Sequence, residues 1–275
     1  MLYSELFAAH LKQLKSGELS TAVEALIEKA FAISRTEFWI KKNQPVRDAA
    51  ALRKFRGYFT RLLADEPLAY ILKEKEFFGA AFIVSPAVLI PRPETELLVE
   101  KALEILGGKP ARILDIGAGS GVIAITMARR SPATLTAVDT SRPALRLLKK
   151  NIARFGLQPR ITVRAADLFP KRSGLFDMII ANPPYLSCRD WDESPPSIRL
   201  FEPKTALVAG PKGTETLARI IAGAAERLVP RGQLLLEIGH GQLPAVRSLL
   251  KSATLRKIQY IRDYNGIARV IVASR

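Results

Sequence analysis

The tetrapeptide Asn182-Pro183-Pro184-Tyr185 follows a short apolar run and sets hydrogen-bond acceptors beside an aromatic ring. The prolines have no N–H and lock φ, so the Asn182 side-chain oxygen and the Pro183 carbonyl face no competing donors. Two acceptors can hold both hydrogens of a planar NH₂ group, on which Tyr185 can stack. The nitrogen lone pair can then point at an electrophile about 3–3.5 Å away. We expect Asn182, Pro183 and Tyr185 to catalyse alkyl transfer to such a nitrogen, with Pro184 in the substrate site.

A glycine-rich segment, Ile113-Leu-Asp-Ile-Gly-Ala-Gly-Ser-Gly121, joins an apolar strand directly to a helical run. Glycines on alternate positions let the backbone turn sharply and let a ligand approach closely. A dinucleotide fingerprint would need its third glycine at position 122, which is Val122. We expect Asp115, just before the glycines, to order the loop and to lie near the amino-acid part of a cofactor.

Further carboxylates follow the next two predicted strands. Asp139 ends Leu135–Val138, about 20 residues after the glycines, where a ribose diol would find acceptors. Asp167 follows Ile161–Arg164 and could accept from an exocyclic amine, while Leu168 could cover the ring of a base. Because ligands bind beyond the carboxyl ends of parallel strands, this pattern predicts a nucleoside cofactor.

The elements that must position these residues alternate between strand and helix. Helices are predicted at 94–106, 121–130, 143–155 and 214–228, and strands at 112–116, 135–138, 161–164, 178–181 and 234–238. Such alternation predicts a parallel, doubly wound α/β sheet. Asn265-Gly266 between the apolar runs 258–262 and 268–272 predicts a closing hairpin with an antiparallel strand.

The first 75 residues contain helical patterns only, so we predict a small helical domain over 1–75, a β-hairpin linker over 76–90 and a catalytic domain over 91–275. In the helical region we expect helices over 2–14 and 46–63, and one that opens after Gly17 with a capping box, Thr21 to Glu24.

The chain of 275 residues carries a formal charge of +16, which favours encounters with anionic partners. We find no export signal and no run long enough to span a bilayer, and a single cysteine with two distant histidines offers no metal site. We therefore expect a cytoplasmic monomer without a metal or a membrane attachment.

Several motifs together resemble the release factor glutamine N5-methyltransferase family, the HemK/PrmC type, along nearly the whole chain. They are 67–72, Glu76-Phe-Phe-Gly79, Val88 to Glu96 with its Arg-Pro-Glu-Thr-Glu stretch, the glycine loop, Asn-Pro-Pro-Tyr, Phe201-Glu-Pro203, Leu234 to Gly239, and the closing 263–270. One departure is Lys73, which stands where the family usually has glycine.

The resemblance implies a class I, Rossmann-like methyltransferase fold with seven strands, preceded by an all-α domain that helps to recognise the release factor. It implies methyl transfer from S-adenosylmethionine, leaving S-adenosylhomocysteine, to the glutamine of the Gly-Gly-Gln motif in peptide chain release factors. Cofactor positions carry over to Gly117, Ala118, Gly119, Ser120, Gly121, Asp139, Leu168 and Asn182, and peptide contacts to Asn182 through Tyr185. Arg92 and Glu94 are expected near the entrance of the site, in contact with substrate.

Two alternatives stay open. Adenine shares the planar NH₂ group, so the same site could serve an adenine N6-methyltransferase of DNA or RNA, which the positive charge would assist. No inserted target-recognition domain is visible, and we expect no stable nucleic-acid binding. The other alternative is a silent module that binds a release factor or the ribosome, against which Asp115, Asp139 and Asn182 argue.

Overall fold

The computed structural model of the chain describes residues 1–13 and 19–275. By their internal contacts these residues form two units, Met1–Lys73 and Glu74–Arg275. The predicted hairpin lies within the second unit, where Phe77 and Phe82 are fully buried in its core.

The described residues of the first unit form helices, apart from a single bridge between Leu2 and Pro45. The helices are α1 (Tyr3–Leu11), α2 (Leu19–Phe31), α3 (Arg35–Lys41), α4 (Ala49–Leu63) and α5 (Leu68–Leu72). They enclose an apolar cluster that includes Leu26, Phe38 and Phe55. This all-helical unit agrees with the predicted fold class.

The predicted capping box at Thr21 is wrong, because α2 already includes Leu19 and both residues of the motif lie inside the helix. Glu24 is buried and pairs with Arg35 at 2.8 Å instead. A capping box does exist at Ser34, which accepts from the Glu37 N–H and so begins α3. Leu14 and Gly17, part of the predicted first helix and its end, lie outside the described residues.

Lys73 ends α5 in the left-handed conformation, with φ at 59°. A side chain is strained there and glycine is not, which explains why glycine suits this position in the family that the chain resembles.

The second unit contains a seven-stranded sheet and two pairs of short strands, β1 with β2 and β7 with β8. The strands of the unit are β1 (Glu74–Phe77), β2 (Ala80–Ile83), β3 (Arg112–Ile116), β4 (Thr134–Asp139), β5 (Ile161–Ala165), β6 (Phe176–Ala181), β7 (Leu186–Ser187), β8 (Val208–Gly210), β9 (Leu228–Glu237), β10 (Arg256–Arg262) and β11 (Ala268–Ser274). The large sheet has the order β10-β11-β9-β6-β3-β4-β5. From β9 to β5 all neighbours are parallel, whereas β11 runs antiparallel to both β9 and β10.

Helices cover both faces of this sheet, which confirms the predicted doubly wound architecture. They are α6 (Glu94–Leu106), α7 (Val122–Arg130), α8 (Arg142–Arg154), α9 (Cys188–Asp192), α10 (Pro196–Arg199), α11 (Glu215–Ala224) and α12 (Leu243–Lys251). The core on one face takes its helical side chains from α6, α7 and α8, and the core on the other takes them from α11 and α12. None of the helices in the described residues has the length and apolar character of a membrane span.

The strand order also decides where a ligand can bind. The chain passes from β3 outward to β4 and β5, then crosses to β6 on the other side of β3. Strand order therefore reverses beside β3, and a crevice at such a reversal is the usual ligand site of an open α/β sheet. The glycine loop and the Asn-Pro-Pro-Tyr segment follow the two strands that flank the reversal, β3 and β6.

The hairpin of β1 and β2 is attached to the glycine loop by one buried side chain. Asn151 on α8 donates to the carbonyls of Ile83 and Ser120, at 3.0 and 2.8 Å, and accepts from the Ile83 N–H at 2.9 Å. This amide is completely buried and uses its oxygen and its nitrogen.

Candidate active site

The glycine loop leaves β3 and enters α7 through backbone conformations that favour glycine. Gly117, Gly119 and Gly121 have φ of 71°, 53° and 88°. The N–H groups of Gly117 and Ala118 both donate to the Val138 carbonyl at 2.9 Å, which attaches the loop to the end of β4. The loop is therefore held in shape by the neighbouring strand.

The three glycines are needed for different reasons. A Cβ on Gly121 would lie 2.3 Å from Leu148 Cδ1 and 3.0 Å from Ile125 Cδ1, so this glycine lets α7 and α8 approach each other. A Cβ on Gly117 would meet nothing within 4 Å, and one on Gly119 only the Gly117 carbonyl oxygen at 3.8 Å. Those two glycines line a cleft, and the space beside them is open to a ligand.

Asp139 is placed beside the loop at the end of β4. Its Oδ2 accepts from the Gly119 N–H at 2.9 Å and its Oδ1 from the Ser141 N–H at 2.8 Å. Each carboxylate oxygen keeps a second lone pair, so both can still accept from a diol. Asp139 lines the same cleft as Gly117 and Gly119, where the sequence predicts the ribose.

Asp115 lies in the interior, and the residues that line the cleft do not include it. Its Oδ2 accepts from the Ala124 N–H at 3.1 Å, in the first turn of α7, while its Oδ1 has no partner among the described residues. Burial, with a smaller contribution from the charge of Asp139, raises the pKa of Asp115 to about 7. The contact that the structure shows for this carboxylate is therefore with the helix that follows the loop.

Asp167 and Leu168 follow β5 and line the cleft next to Arg219 on α11. The Asp167 carboxylate pairs with Arg219 at 2.7 Å, and both side chains are more than half exposed. Leu168 has φ of 65°, a strained conformation that turns the chain at the cleft wall. Arg219 was not singled out from the sequence, because nothing local links it to Asp167, 52 residues away.

Asn182 directly follows β6, on the opposite side of β3 from Asp139, and Asn182, Pro183 and Pro184 line the cleft. The Asn182 Nδ2 donates to Thr95 Oγ1 at 2.9 Å, and Thr95 Oγ1 donates to Glu237 Oε2 at 2.7 Å. Thr95 and Glu237 are buried. The Asn182 Oδ1 is buried too, but it is an acceptor without a partner in the described part of the chain.

Tyr185 is held by hydrogen bonds to its backbone. Its N–H donates to the Leu207 carbonyl, and its own carbonyl accepts from Gln242 Nε2 at 2.8 Å. Gln242 also donates to the Gly213 carbonyl and accepts from the Gly239 N–H. Burial, assisted by the charge of Glu237, raises the pKa of Tyr185, so the ring carries a neutral hydroxyl. This one glutamine thus connects three loops beside Tyr185.

Arg92 and Glu94, the residues predicted at the entrance of the site, have different neighbours. Arg92 pairs with the buried Glu202 at 2.5 Å, and Glu202 also accepts from the Ile90 N–H. Arg92 therefore attaches the segment before α6 to the Phe201-Glu-Pro203 motif, and a contact with substrate stays a prediction. Glu94, the first residue of α6, is half-buried and raises the pKa of Glu237 through its charge.

The cleft has a volume of about 210 Å³. At one end lie the glycine loop and Asp139, and at the other Asn182 with the two prolines. The structure thus brings eight of the predicted residues together along the cleft. The predicted residues that are not among its lining are Arg92, Glu94, Asp115, Ala118, Ser120, Gly121 and Tyr185. The structure adds Thr95, Glu202, Glu237, Gln242 and Arg219, of which the first three lie in segments already noted for their resemblance to the family.

Two family models match the chain, the PrmC N-terminal domain over residues 5–72 and the Methyltransferase small domain over residues 93–194. A solved methyltransferase from Pyrococcus furiosus superimposes with a TM-score of 0.56 at 16% identity, covering 78% of this chain and 96% of that one, and shares the fold.

Curated relatives give a closer match. The release factor glutamine methyltransferase of Nitratidesulfovibrio vulgaris is 39% identical over 92% of this chain and 88% of its own length. That of Bordetella pertussis is 38% identical over 94% of this chain and 97% of its own length. With this similarity over both units, the chain belongs to the release factor glutamine methyltransferase family.

Proposed function

We propose that this protein transfers a methyl group from S-adenosylmethionine to the side-chain amide nitrogen of the Gly-Gly-Gln glutamine in peptide chain release factors. The observation that carries the proposal is Asn182, which lines the same cleft as the glycine loop and whose buried Oδ1 has no partner among the described residues. The relatives named for this activity, similar over nine-tenths of the chain, supply the substrate.

The residues of the cleft fit S-adenosylmethionine. Open space beside Gly117 and Gly119 accommodates a ligand against the loop, and Asp139 offers acceptors for a ribose diol. Asp167 and Leu168 would hold the adenine, and the carboxylate of Asp115, together with Ala118, Ser120 and Gly121, would support the loop under the amino-acid part. The cofactor supplies an electrophilic methyl group on a sulfonium, so the protein needs to orient the nucleophile.

That orientation is the task of the Asn-Pro-Pro-Tyr segment. The glutamine NH₂ would donate one hydrogen to Asn182 Oδ1 and the other to the Pro183 carbonyl, with the amide plane against the Tyr185 ring. A conjugated amide nitrogen is a poor nucleophile, and fixing both hydrogens directs its lone pair out of the conjugated plane toward the methyl group. The proton can leave after transfer, when the nitrogen is cationic.

The remaining assignments are part of the same proposal. The first unit helps to recognise the release factor, in keeping with its match to the PrmC N-terminal domain. The protein acts in the cytoplasm, where release factors work, as a monomer without stable nucleic-acid binding. Arg92 and Glu94 would border the peptide.

The test is methyl transfer from labelled S-adenosylmethionine to purified release factor. Wild-type factor is compared with a variant whose Gly-Gly-Gln glutamine is replaced by alanine, with DNA and ribosomal RNA in parallel. Label on wild-type factor and none on the variant is the expected result.

A positive charge of +16 is the one observation that favours a nucleic-acid substrate. Label on DNA or RNA with none on the release factor would refute the glutamine assignment and support the adenine alternative. Cofactor binding without transfer to any of these substrates would favour the silent binding module.

A further inference from the structure

The hydrogen bonds that join Asn182, Thr95 and Glu237 run in one direction. The single hydroxyl hydrogen of Thr95 is donated to Glu237 Oε2, because a carboxylate only accepts. Thr95 Oγ1 can then only accept from Asn182, and this requires the NH₂ of the Asn182 amide to face Thr95. The Asn182 oxygen is left at the end of this series of hydrogen bonds, as an acceptor without a partner among the described residues.

In the opposite amide orientation, Asn182 could not accept a hydrogen bond from the substrate. If the Asn182 amide rotated by half a turn, its NH₂ would face the NH₂ of the substrate and neither could accept. Asparagine alone has no strong preference between these two orientations, since its oxygen and nitrogen occupy nearly equivalent positions. Something outside the Asn-Pro-Pro-Tyr segment must therefore select one of them.

Resting on the proposed transfer to a planar nitrogen, we infer that Thr95 and Glu237 are positioning residues that select the amide orientation of Asn182 able to accept from the substrate. The negative charge of Glu237 also strengthens that acceptor, because hydrogen bonds in a chain polarise one another where the surroundings exclude water. Neither side chain touches the substrate in this arrangement.

Charged and titratable groups surround Glu237 from several elements. Burial raises the pKa of Glu237 to about 7, and the Thr95 hydrogen bond opposes this. The charged groups that act on it are Glu94, which raises its pKa, and Arg269 and Arg92, which lower it, while Tyr185 is a titratable neighbour. Above about pH 7 the Glu237 carboxylate is ionised, and its charge strengthens the hydrogen bonds from Asn182 through Thr95. Below that pH the carboxyl group is neutral and these hydrogen bonds are weaker, so kcat should fall with falling pH.

Replacing the Thr95 hydroxyl tests whether it sets the orientation of the Asn182 amide. Thr95→Val keeps the shape of the side chain and removes the link, and we expect it to lower kcat by about 10²-fold, the usual effect of a misplaced catalytic group. Thr95→Ser should restore most of the activity. Calorimetric affinity for S-adenosylmethionine should stay close to wild type in both variants.

A matched control lies on α7. Thr126 is also buried, and its Oγ1 has no partner among the described residues, so Thr126→Val makes the same chemical change where no link exists. We expect this variant to keep wild-type kcat and stability. A similar loss of kcat in Thr126→Val and Thr95→Val would assign both effects to core packing and overturn the inference.

The pH dependence of kcat tests whether the charge of Glu237 strengthens the Asn182 acceptor. Glu237→Gln keeps an acceptor for Thr95 but carries no charge, so its kcat at saturating cofactor should be flat between about pH 6 and about pH 8.5. The wild-type kcat should rise about tenfold across this range, the ratio between a charged and a neutral hydrogen bond. Saturating cofactor suppresses any effect on cofactor binding of Asp115, whose pKa is also raised to about 7 and whose hydrogen bond is with the helix after the glycine loop.

An independent readout needs no turnover. Carbon-13 NMR of the labelled Glu237 carboxyl should show titration near pH 7 in the wild type and a higher pKa in Thr95→Val, which loses a bond to the charged form. Wild-type kcat in Thr95→Val, on a release factor that the wild type methylates, would refute the positioning role and leave the proposed function standing. No transfer by the wild type to any substrate would refute the proposed function, while the NMR titration would still report whether Thr95 stabilises the charge of Glu237.

Discussion

Gly119 donates its backbone N–H to Asp139 Oδ2 over 2.9 Å, which joins the glycine loop to the carboxylate at the end of the neighbouring strand. The side chain that we propose as the acceptor for the ribose therefore also shapes the loop against which the cofactor would lie. With the cofactor placed as we propose, Asp139 would act on it in two ways, directly through its lone pairs and indirectly through the backbone of the loop.

Replacing Asp139 by alanine should weaken S-adenosylmethionine binding by about 10²-fold, since about two hydrogen bonds to a charged group are lost. Isothermal calorimetry measures the affinity. Asp177→Ala is the matched control, because Asp177 also accepts a backbone N–H, from Arg112 at 2.7 Å, but at the other end of the strands. Equal losses of affinity in the two variants would contradict the assignment of the ribose to Asp139.

Asn182→Ala should lower kcat by about 10²- to 10³-fold, the usual effect of removing one preorganised hydrogen-bonding group. The variant should remain folded and keep most of its affinity for S-adenosylmethionine, because Gly117, Gly119 and Asp139 are unchanged. Single-turnover transfer to release factor measures the rate and calorimetry measures the affinity. Normal turnover by this variant would rule out orientation by Asn182.

The buried carboxyl of Asp115 should make stability depend on pH. Its pKa is about 7 in the folded protein and about 3.9 in an unfolded chain, so the folded state binds the proton more tightly. Stability therefore falls as pH rises from about 4 to about 7, by an amount on the order of a few kcal/mol.

Asp115→Asn removes this titration and should raise the free energy of unfolding above pH 7 while it weakens cofactor binding. Urea unfolding of both proteins at about pH 5 and about pH 8 measures the difference. An unchanged pH dependence in the variant would show that Asp115 is not the group responsible.

Gly121→Ala and Gly117→Ala should separate folding from binding. Both positions have positive φ, which costs an alanine about 1–2 kcal/mol. The added methyl at 121 also meets Leu148 at 2.3 Å, which adds about 1–3 kcal/mol of overpacking. We expect the lower melting temperature for Gly121→Ala, and for Gly117→Ala a loss of cofactor affinity, because residue 117 lines the cleft. The reverse ranking of melting temperatures would contradict this division.

The sheet could be predicted closely from the sequence because its signals are local. The predicted strand 112–116 coincides with β3 and the predicted helix 94–106 with α6, since unbroken apolar runs and helical periodicity need no distant partner. Helices α3, α5, α9 and α10 are seven residues or shorter and were not predicted, because so few turns carry little periodicity.

The predicted site has the same division between local and distant information. Asp139 ends its strand and Asn182 directly follows another, so position along the chain was enough to predict that both lie at the same edge of the sheet. The partners of Asn182 lie on other elements, and Thr95 is 142 residues from Glu237. Nothing in the sequence indicates that Thr95 and Glu237 meet. Thr95 is a threonine in the first turn of a helix, and Glu237 is a glutamate that ends an apolar strand.

The buried amide of Asn151 determines where the catalytic unit can be separated from the rest of the chain. A fragment that began at residue 91 would leave this amide with two polar bonds unmade and would remove Phe77 and Phe82 from the core. The smallest autonomous piece should therefore begin at Glu74, where the hairpin starts. The hairpin is therefore part of the enzyme core and should be kept with it in a domain exchange. In a chimaera that lacked the hairpin, the glycine loop would be held less firmly.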